Sequence, residues 1–286
     1  MEWLEKMNAA INYLESHITE EIDYEKLGRI AGCSAYHFQR MFTYIAGVTL
    51  SEYIRRRKMT LAAVELQGSN EKIMDIALKY GYDSPTAFNR AFQAIHGVAP
   101  SVVKTQSVSL KAFSPIQFKM VVKGVESMNY RIEKKEAFRI IGVSEPLKSD
   151  VQENFQIVPK MWQTAMQNGT IPKLASRVNT PLQGLLGVST CNQQDEWRYY
   201  IAVAEEKEAG SYEQEAFDEY MVPAATWAIF SGTGANEAIQ ELEARIITEW
   251  LPTSGYEYAN APDVEVFIDP DPTTGRYEVW IPVVKK

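Results

Sequence analysis

An internal repeat with a period of fifty residues near the N-terminus limits the folds that this chain can adopt. Residues 34–42, Ser-Ala-Tyr-His-Phe-Gln-Arg-Met-Phe, are matched by residues 84–92, Ser-Pro-Thr-Ala-Phe-Asn-Arg-Ala-Phe. Each copy follows a short apolar segment and a turn that contains a glycine, Gly32 or Gly81. A short helix, a glycine turn and a second helix capped by serine are typical of a helix-turn-helix unit. The repeat therefore predicts two such units in an all-α N-terminal domain.

Each copy separates an aromatic face from a charged one. Phe38 and Phe42 stand four residues apart, as their counterparts do in the second copy, so each pair forms one apolar stripe for a local core. Arg40 and Arg90 follow the first phenylalanine at the same place in both copies. An all-helical protein-interaction module would explain the aromatic residues but not the repeated arginine. The second helix of each unit therefore has the form of a DNA recognition helix.

A helical connector is predicted between the two units. Residues 50–67 are helix formers without a break, and about eighteen residues at 1.5 Å each span roughly 27 Å. Such a rod can hold two recognition helices about one DNA turn, roughly 34 Å, apart. The stripe expected to face inward consists of Ile54, Leu61 and Val64. An amphipathic first helix over residues 4–18 and a short last helix opened by Pro100 flank the pair.

The net charge of −8 argues at first against a nucleic-acid partner. Residues 1–106, however, hold 12 basic and 12 acidic side chains, whereas residues 107–286 hold 17 basic and 25 acidic ones. The acidity thus lies in the second part, and a neutral domain still binds DNA where its cations cluster. The run Arg55-Arg56-Arg57-Lys58 is such a cluster, although a charge run is also typical of a solvated helix face.

The rest of the composition narrows the class of protein. The first residues include acids with no apolar run behind them, and no stretch approaches the ~20 apolar residues of a membrane span. Two cysteines lie far apart, and three histidines lack metal-ligand spacing. We therefore expect a cytoplasmic protein with reduced thiols, no metal and no cofactor.

From about residue 107 the pattern changes to short β-branched and aromatic runs that alternate with two helical segments. We expect the first domain to end at residue 106, a linker with a first strand at 107–124, and an α+β domain at 125–286. The predicted strands are 116–123, 129–132, 138–143, 185–190, 198–204, 226–231, 264–268 and 277–283, and the predicted helices are 155–168 and 235–250.

The second domain is also duplicated. Residues 198–203, Arg-Tyr-Tyr-Ile-Ala-Val, resemble residues 276–281, Arg-Tyr-Glu-Val-Trp-Ile, and each segment belongs to a helix-strand-strand half. Two halves of the same kind suggest a pseudo-twofold sheet with a pocket at the seam.

One carboxylate in the last strand is unusual. Glu278 and Trp280 share one face of this strand. A carboxylate beside a tryptophan is unusual in an otherwise apolar strand of a protein core. In a concave pocket Glu278 would lose water and need a cationic partner, while nearby tryptophans and tyrosines would add cation–π contacts. The alternative is a glutamate on a solvated sheet face or one paired with a structural lysine.

The N-terminal motifs occur together and in order. They are Ala-Gly-Cys-Ser-Ala-Tyr-His-Phe-Gln-Arg-Met-Phe at 31–42, Tyr-Ile-Arg-Arg-Arg-Lys-Met at 53–59, Ile-Ala at 76–77, Tyr-Gly-Tyr at 80–82 and Gly-Val-Ala-Pro at 97–100. This set resembles the DNA-binding domain of the AraC/XylS transcriptional regulators, closest to the branch of multidrug, antibiotic and superoxide resistance activators. The resemblance covers residues ~5–105.

The resemblance implies a set of DNA-contacting residues. In that family an aromatic residue, a glutamine and an arginine of the first recognition helix read bases. In the second helix Arg90 matches the family, whereas Pro85 and Ala87 replace polar residues that are common there. The implied residues are Ser34, Tyr36, Gln39, Arg40 and Thr43 in the first unit, Arg55, Arg57 and Lys58 in the connector, and Ser84, Thr86, Asn89 and Arg90 in the second unit.

The last strand, Arg-Tyr-Glu-Val-Trp-Ile-Pro-Val at 276–283, and the duplicated layout of residues 125–285 are similar to the GyrI-like effector-binding domains. Members of that family often accompany a DNA-binding domain and bind bulky, frequently cationic organic molecules around a buried glutamate. The resemblance implies this role for Glu278. The candidate ligand-binding residues are Glu278, Trp280, Tyr200, Trp227 and Trp162.

Both resemblances together imply a sequence-specific DNA-binding transcriptional regulator, not an enzyme, whose C-terminal domain binds a small organic effector. The expected partners are double-stranded DNA, the effector and RNA polymerase, with no membrane. Two alternatives concern the C-terminal domain. It could hydrolyse reactive small molecules with Glu278 as the acid–base group, as some GyrI-like proteins do, or it could bind another protein without any small ligand.

Overall fold

The computed structural model describes residues 2–119, 127–148, 151–191, 197–206, 217–234, 236–269 and 275–285. It divides the chain into two compact units, residues 1–120 and 121–286. The first unit is helical, and the second combines helices with one large antiparallel sheet. The predicted multidomain architecture, all-α followed by α+β, is confirmed. Among the described residues no helix is both long and apolar enough to cross a bilayer.

The first unit contains the two predicted helix-turn-helix pairs. Its helices are α1 (Glu2–Ser16), α2 (Tyr24–Ala31), α3 (Ala35–Ala46), α4 (Leu50–Gly68), α5 (Ile73–Lys79), α6 (Pro85–His96) and α7 (Pro100–Thr105). The side chains of Ser34 and Ser84 cap α3 and α6 by accepting hydrogen bonds from backbone N–H groups three residues on. Gly32 and Gly81 in the two turns have φ of 78° and 84°, the left-handed region that favours glycine.

The aromatic pairs lie in local cores, as predicted. Phe38 and Phe42 are fully buried with ring centroids 6.5 Å apart, and Phe88 and Phe92 repeat the arrangement at 5.8 Å. Part of the predicted stripe on α4 is wrong, because Val64 is 61 % exposed. The inward face of that half of α4 is formed instead by residues at three- and four-residue spacing, which are Met59, Ala62, Ala63 and Leu66.

Residues 107–119 form an extended strap on the helical unit, and neither a linker nor the start of a strand. Five hydrogen bonds hold its backbone, from Asn8 Nδ2 to Phe118 O (3.0 Å), from Phe118 N to Asn8 Oδ1 (2.8 Å), from Ile116 N to Tyr53 Oη (3.1 Å), from Phe113 N to Thr60 Oγ1 (3.1 Å) and from Arg57 Nη1 to Phe113 O. Phe118 is also buried, with its ring edge-on to Phe42 at 5.8 Å. The prediction for 107–124 is therefore corrected over its described part, because aromatic anchors in the strap fill the helical core.

The described residues of the second unit form a sheet of nine strands. Its strands are β1 (Tyr130–Lys135), β2 (Phe138–Pro146), β3 (Leu185–Cys191), β4 (Trp197–Ala204), β5 (Asp218–Val222), β6 (Ala225–Thr233), β7 (Tyr256–Tyr258), β8 (Asp263–Phe267) and β9 (Arg276–Lys285). Its helices are α8 (Val151–Gln167), α9 (Thr170–Ala175) and α10 (Asn236–Arg245), which continues into a π-helical turn (Ile246–Trp250). The strand order is β1-β6-β9-β8-β3-β4-β2-β5, with β7 paired to β9.

This strand order is pseudo-twofold symmetric. It reads the same from both ends when β1 is exchanged with β5, β6 with β2, β9 with β4 and β8 with β3. The axis therefore passes between β8 and β3, where Gly187 lies opposite Glu265. The predicted duplication is confirmed and extended, since each half is strand-strand-helix-strand-strand and its first strand pairs with the other half.

The two faces of the sheet are packed differently. One face carries the helices, with Trp162 of α8 against Phe267 (4.9 Å between centroids) and Trp250 of the π-helical turn against Phe230 (5.0 Å). The opposite face is a hydrophobic core. Three strands lie between β2 and β9 in the sheet order, yet the ring centroid of Phe138 on β2 is 6.4 Å from that of Trp280 on β9. The sheet therefore curls, and this face closes on itself.

Candidate functional site

The second recognition helix, α6, exposes its first turn to solvent. Thr86, Ala87 and Arg90 are exposed on α6, and no acidic residue lies in the first turn. Asn89 is half-buried, and its Oδ1 accepts a hydrogen bond from Gln93 Nε2 at 3.4 Å. Arg90 and Thr86 are thus positioned to meet a DNA groove, whereas the side chain of Asn89 is partly used within the helix.

The first recognition helix differs from the second in exposure. Tyr36 and Gln39 on α3 are 9 % and 4 % exposed, although their counterparts in α6 are Thr86 and Asn89. Arg40 is half-buried, with its guanidinium carbon 5.6 Å from the ring centroid of Tyr36. For Tyr36 and Gln39 to reach base edges, both side chains must first gain exposure. The sequence carries no sign of this difference in burial.

The polar side chains at the two ends of the first helix support α3 itself. The hydroxyl of Ser34 accepts a hydrogen bond from His37 N at 3.2 Å. The Thr43 hydroxyl donates to the backbone oxygen of Gln39 at 2.8 Å. In the second unit Ser84 caps α6 through Ala87 N at 3.4 Å. These three predicted DNA contacts therefore have a local structural role in the protein.

The basic run of α4 is divided between the surface and the core. Arg55 and Arg56 both pair with Glu52, and the Arg55 side chain is 50 % exposed. Arg57 is buried at 8 %, and its Nε and Nη2 donate to Glu15 at 2.8 and 2.7 Å. Its Nη1 donates to the backbone oxygen of Phe113 in the strap. The prediction that Arg57 contacts DNA is therefore wrong, because its guanidinium joins α1, α4 and the strap.

The last member of the basic run lies close to the second turn. Lys58 is half-buried, and its Nζ would lie 3.3 Å from a Cβ placed on Gly81. Burial lowers the pKa of Lys58 below its ordinary value. Its predicted contact with DNA stays a prediction.

The five predicted ligand residues do not come together. Trp227, Trp280 and Tyr200 belong to the hydrophobic core of the curled face, where the two tryptophan rings lie 6.0 Å apart. Trp162 lies on the opposite, helix-bearing face. The sheet thus separates Trp162 from the other four residues.

Glu278 has a cationic partner within the protein. Its Oε1 accepts from Arg131 Nη1 at 2.9 Å, and its Oε2 accepts from Arg131 Nη2 at 3.3 Å and from Trp280 Nε1 at 2.8 Å. The side chain of Glu278 is 14 % exposed, whereas that of Arg131 is 47 % exposed. Lys135 lies over the Trp280 ring at 4.8 Å. The surroundings of Glu278 match the alternative of a structural ion pair, with an arginine in place of the lysine.

A different carboxylate lies at the seam between the two halves. Glu265 of β8 projects from the helix-bearing face, and its Oε2 accepts a hydrogen bond from the Tyr199 hydroxyl at 3.0 Å. The Tyr199 hydroxyl in turn accepts from Trp162 Nε1 at 3.0 Å. Glu265 is half-buried and Tyr199 is 4 % exposed. The three side chains form one hydrogen-bonded series at the pseudo-twofold axis.

Gly187 makes room for this series. A Cβ at Gly187 would lie 2.2 Å from the Tyr199 hydroxyl and 2.6 Å from Glu265 Oε2, closer than any side chain allows. Gly187 and Glu265 are counterparts in the duplication, since the 78-residue offset between residues 198–203 and 276–281 also relates them. At equivalent positions, one half therefore carries a carboxylate and the other carries a glycine, which leaves room for the hydrogen-bonded side chains.

Sequence reasoning missed Glu265, although a signal was present. Extending the 78-residue offset aligns Leu-Gly-Val at 186–188 with Val-Glu-Val at 264–266, which marks the glutamate as a charged residue between two valines where the other half has a glycine. The strand prediction 264–268 already contained it. Only the pairing of β3 with β8 shows that this position is the seam.

Comparisons with known proteins agree with this architecture. Residues 128–284, more than half of the chain, match the GyrI-like small molecule binding domain, and residues 27–106 match a helix-turn-helix domain. The HTH-type transcriptional activator AarP of Providencia stuartii is 39% identical over 92 residues, which are 32% of this chain and 68% of that protein. The chain belongs to the AraC family and carries a GyrI-like domain.

Two further similarities extend into the GyrI-like domain. The Right origin-binding protein of Escherichia coli K12 is 23% identical over 285 residues, which are 95% of both chains. The structure of SAV2435 bound to tetraphenylphosphonium is similar over 55% of this chain and 94% of that chain, with 23% identity and a TM-score of 0.47. By its two family matches, this AraC-family protein is a DNA-binding transcription regulator with a small-molecule binding domain.

Proposed function

We propose that the regulator senses a bulky hydrophobic cation and that Glu265, not Glu278, is the carboxylate that binds it. The supporting observation is the position of Glu265 at the seam of the two halves, where its half-buried carboxylate accepts a hydrogen bond from the Tyr199 hydroxyl. A half-buried carboxylate beside aromatic rings favours a cation that brings apolar surface with it. Trp162 and Tyr199 supply the aromatic surface next to it.

The cation acts on transcription through the DNA-binding unit. Effector binding changes the regulator's activity on promoter DNA to the extent that the effector binds the active and inactive states with different affinity. RNA polymerase is the third partner in this proposal, and the site of action is the bacterial cytoplasm, where the promoter lies. Transcription in vitro with purified polymerase, with and without the cation, measures this coupling.

We assign the GyrI-like domain to sensing and not to hydrolysis. The hydrolase alternative used Glu278 as the acid–base group, but both oxygens of that carboxylate already accept hydrogen bonds from Arg131 and Trp280. An acid–base group needs an oxygen within reach of the substrate proton. AarP, which is similar to the N-terminal unit, is named as a transcriptional activator, which agrees with a sensor.

Calorimetry with tetraphenylphosphonium on full-length variants tests the assignment. Losing a desolvated charge pair weakens binding by more than thirtyfold, which is the loss expected for Glu265→Gln. The matched control Glu278→Gln removes the same charge from the same sheet and should retain affinity within about threefold. Triphenylphosphine oxide, which is neutral and similar in shape, should bind wild type and both variants alike.

Two outcomes contradict the proposal. Unchanged cation affinity in Glu265→Gln rules out that carboxylate. A selective loss in Glu278→Gln would return the role to the residue first predicted from the sequence. A third possibility, no thermal stabilisation of the wild type by any hydrophobic cation, would favour the protein-interaction alternative, because only a bound ligand raises stability by RT ln(1 + [L]/Kd).

A further inference from the structure

The N-terminal turn of α6 presents an apolar group to solvent where the first repeat has a buried polar ring. Ala87 is exposed, whereas its counterpart His37 in α3 is 3 % exposed and its Nδ1 lies 3.0 Å from the Ser34 hydroxyl. Arg90 is exposed one turn further along α6. The second recognition helix therefore offers a methyl group and a guanidinium on its accessible side.

The spacing of these two groups matches the spacing of bases. Residues three apart on a helix lie on the same side and are separated by about 4.5 Å along the axis. Stacked base pairs are about 3.4 Å apart. Ala87 and Arg90 can therefore contact neighbouring base pairs when the start of α6 enters a major groove.

The chemistry of each group selects a base. In the major groove only thymine carries a methyl group, which an alanine methyl contacts, and only guanine offers the O6 and N7 acceptor pair that matches the two parallel donors of arginine. Asn89 competes weakly for adenine, because its Oδ1 already accepts a hydrogen bond from Gln93.

We propose that Ala87 and Arg90 are specificity-determining residues that make the second recognition helix a reader of a thymine next to a guanine. Ala87 was set aside from the predicted DNA contacts because it replaces a polar residue. Its exposure and its place beside Arg90 instead give this helix its own preference, different from that of α3.

Single-atom changes in the DNA test the proposal. Duplexes enriched from a random pool by the full-length protein are resynthesised with one thymine at a time replaced by deoxyuridine, which removes only the methyl group. Loss of one buried methyl corresponds to about a fourfold loss of affinity. We expect one sensitive thymine with the wild type and no sensitivity there with Ala87→Gly or Ala87→Ser. The serine variant controls for the low helix propensity of glycine.

The guanine is tested in the same duplexes. Replacing one guanine at a time by 7-deazaguanine removes the N7 acceptor, and the guanine beside the sensitive thymine should lose about fivefold or more with the wild type and nothing further with Arg90→Ala. Ala94→Ser, the same substitution at an exposed alanine near the other end of α6, is the matched control and should keep both sensitivities.

Three results would contradict the inference. Deoxyuridine sensitivity that persists in both Ala87 variants would assign the thymine to another residue. A sensitive thymine and guanine that are not neighbours would contradict the shared-face geometry, and enriched sequences in which no base responds to any α6 variant would show that this helix reads no bases.

Discussion

Arg55 and Arg57 stand two residues apart on α4 and have opposite surroundings. Arg55 is half exposed beside Glu52, whereas Arg57 is buried and makes three hydrogen bonds to Glu15. These hydrogen bonds raise the pKa of Arg57 above its ordinary value. Removing one partner of such a buried ion pair lowers the free energy of unfolding strongly, because the other charge is left without compensation.

The first prediction separates the two arginines. Arg57→Ala should lower the free energy of unfolding by about 3 kcal/mol or more and leave the salt dependence of DNA binding by the folded fraction unchanged. Arg55→Ala should change stability by less than about 0.5 kcal/mol and reduce the slope of log affinity against log salt by about one unit if it contacts phosphate. Urea titration and salt-dependent binding measure the two effects. A reduced salt slope in Arg57→Ala would contradict the structural role.

A buried histidine makes the helical unit sensitive to pH. His96 on α6 is 6 % exposed, and its Nε2 donates to the backbone oxygen of Met59 at 3.1 Å. Burial, followed by the charge of Lys111, lowers the pKa of His96 below its ordinary value of 6.5. The unfolded chain therefore binds more protons than the native protein as pH falls below about 6.5.

The second prediction follows from that sign. Stability contributed by neutral His96 is fully present above pH 6.5 and is lost as the pH falls, by up to about 1.4 kcal/mol for each pH unit. His96→Gln keeps a donor for Met59 but does not titrate, so it is the matched control. Urea midpoints between pH 7.5 and 5.5 should fall more for wild type than for His96→Gln. Parallel curves for the two proteins would exclude His96 as the cause.

At the scale of elements, the strap completes the DNA-binding unit. Its backbone is hydrogen-bonded to α1 and α4, and Phe118 fills a site against Phe42. Arg57 also donates to the strap, so removing residues 107–119 would leave a buried donor without that acceptor. The strap is thus a part of the helical core that lies outside the repeat.

The third prediction compares two fragments. Residues 1–119 should fold cooperatively and bind DNA, whereas residues 1–106, the boundary expected from the sequence, should be less stable by about 3 kcal/mol or more. Phe118→Ala within the longer fragment should reproduce most of that loss. Denaturation followed by circular dichroism measures all three. Equal midpoints for the two fragments would show that the strap contributes nothing to the fold.

At the scale of the whole molecule, the two units differ in charge and in symmetry. Residues 1–119 hold 14 basic and 12 acidic side chains, a net charge of +2, and the remaining residues carry the acidity. The helical unit contains two copies of a helix-turn-helix pair along the chain, whereas the two halves of the GyrI-like domain are related by a pseudo-twofold axis. Because Gly187 and Glu265 are counterparts at that axis, the symmetric sheet has a single carboxylate at its centre.

Several elements of the second unit were not predicted from the sequence. The edge strand β5, Asp-Glu-Tyr-Met-Val, begins with two acids, and β7 has only three residues, so neither gives a period-two pattern. Both strands gain their hydrogen bonds from partners distant in sequence. The predicted helix at 235–250 is present, but its last turn is π-helical. Such details depend on packing, which a local window does not contain.

The two helix-turn-helix units, their caps, the connector and the duplication of the second domain could all be predicted from the sequence, because each depends on short-range periodicity, capping and turn chemistry. Which charged side chains are available for binding could be learned only from the packing of the folded chain. Burial of Arg57 against Glu15, pairing of Glu278 with Arg131 and the position of Glu265 at the seam all arise from partners more than forty residues away. The free energy of a charged group depends on its solvation and its neighbours, and both are set by strand register and helix packing.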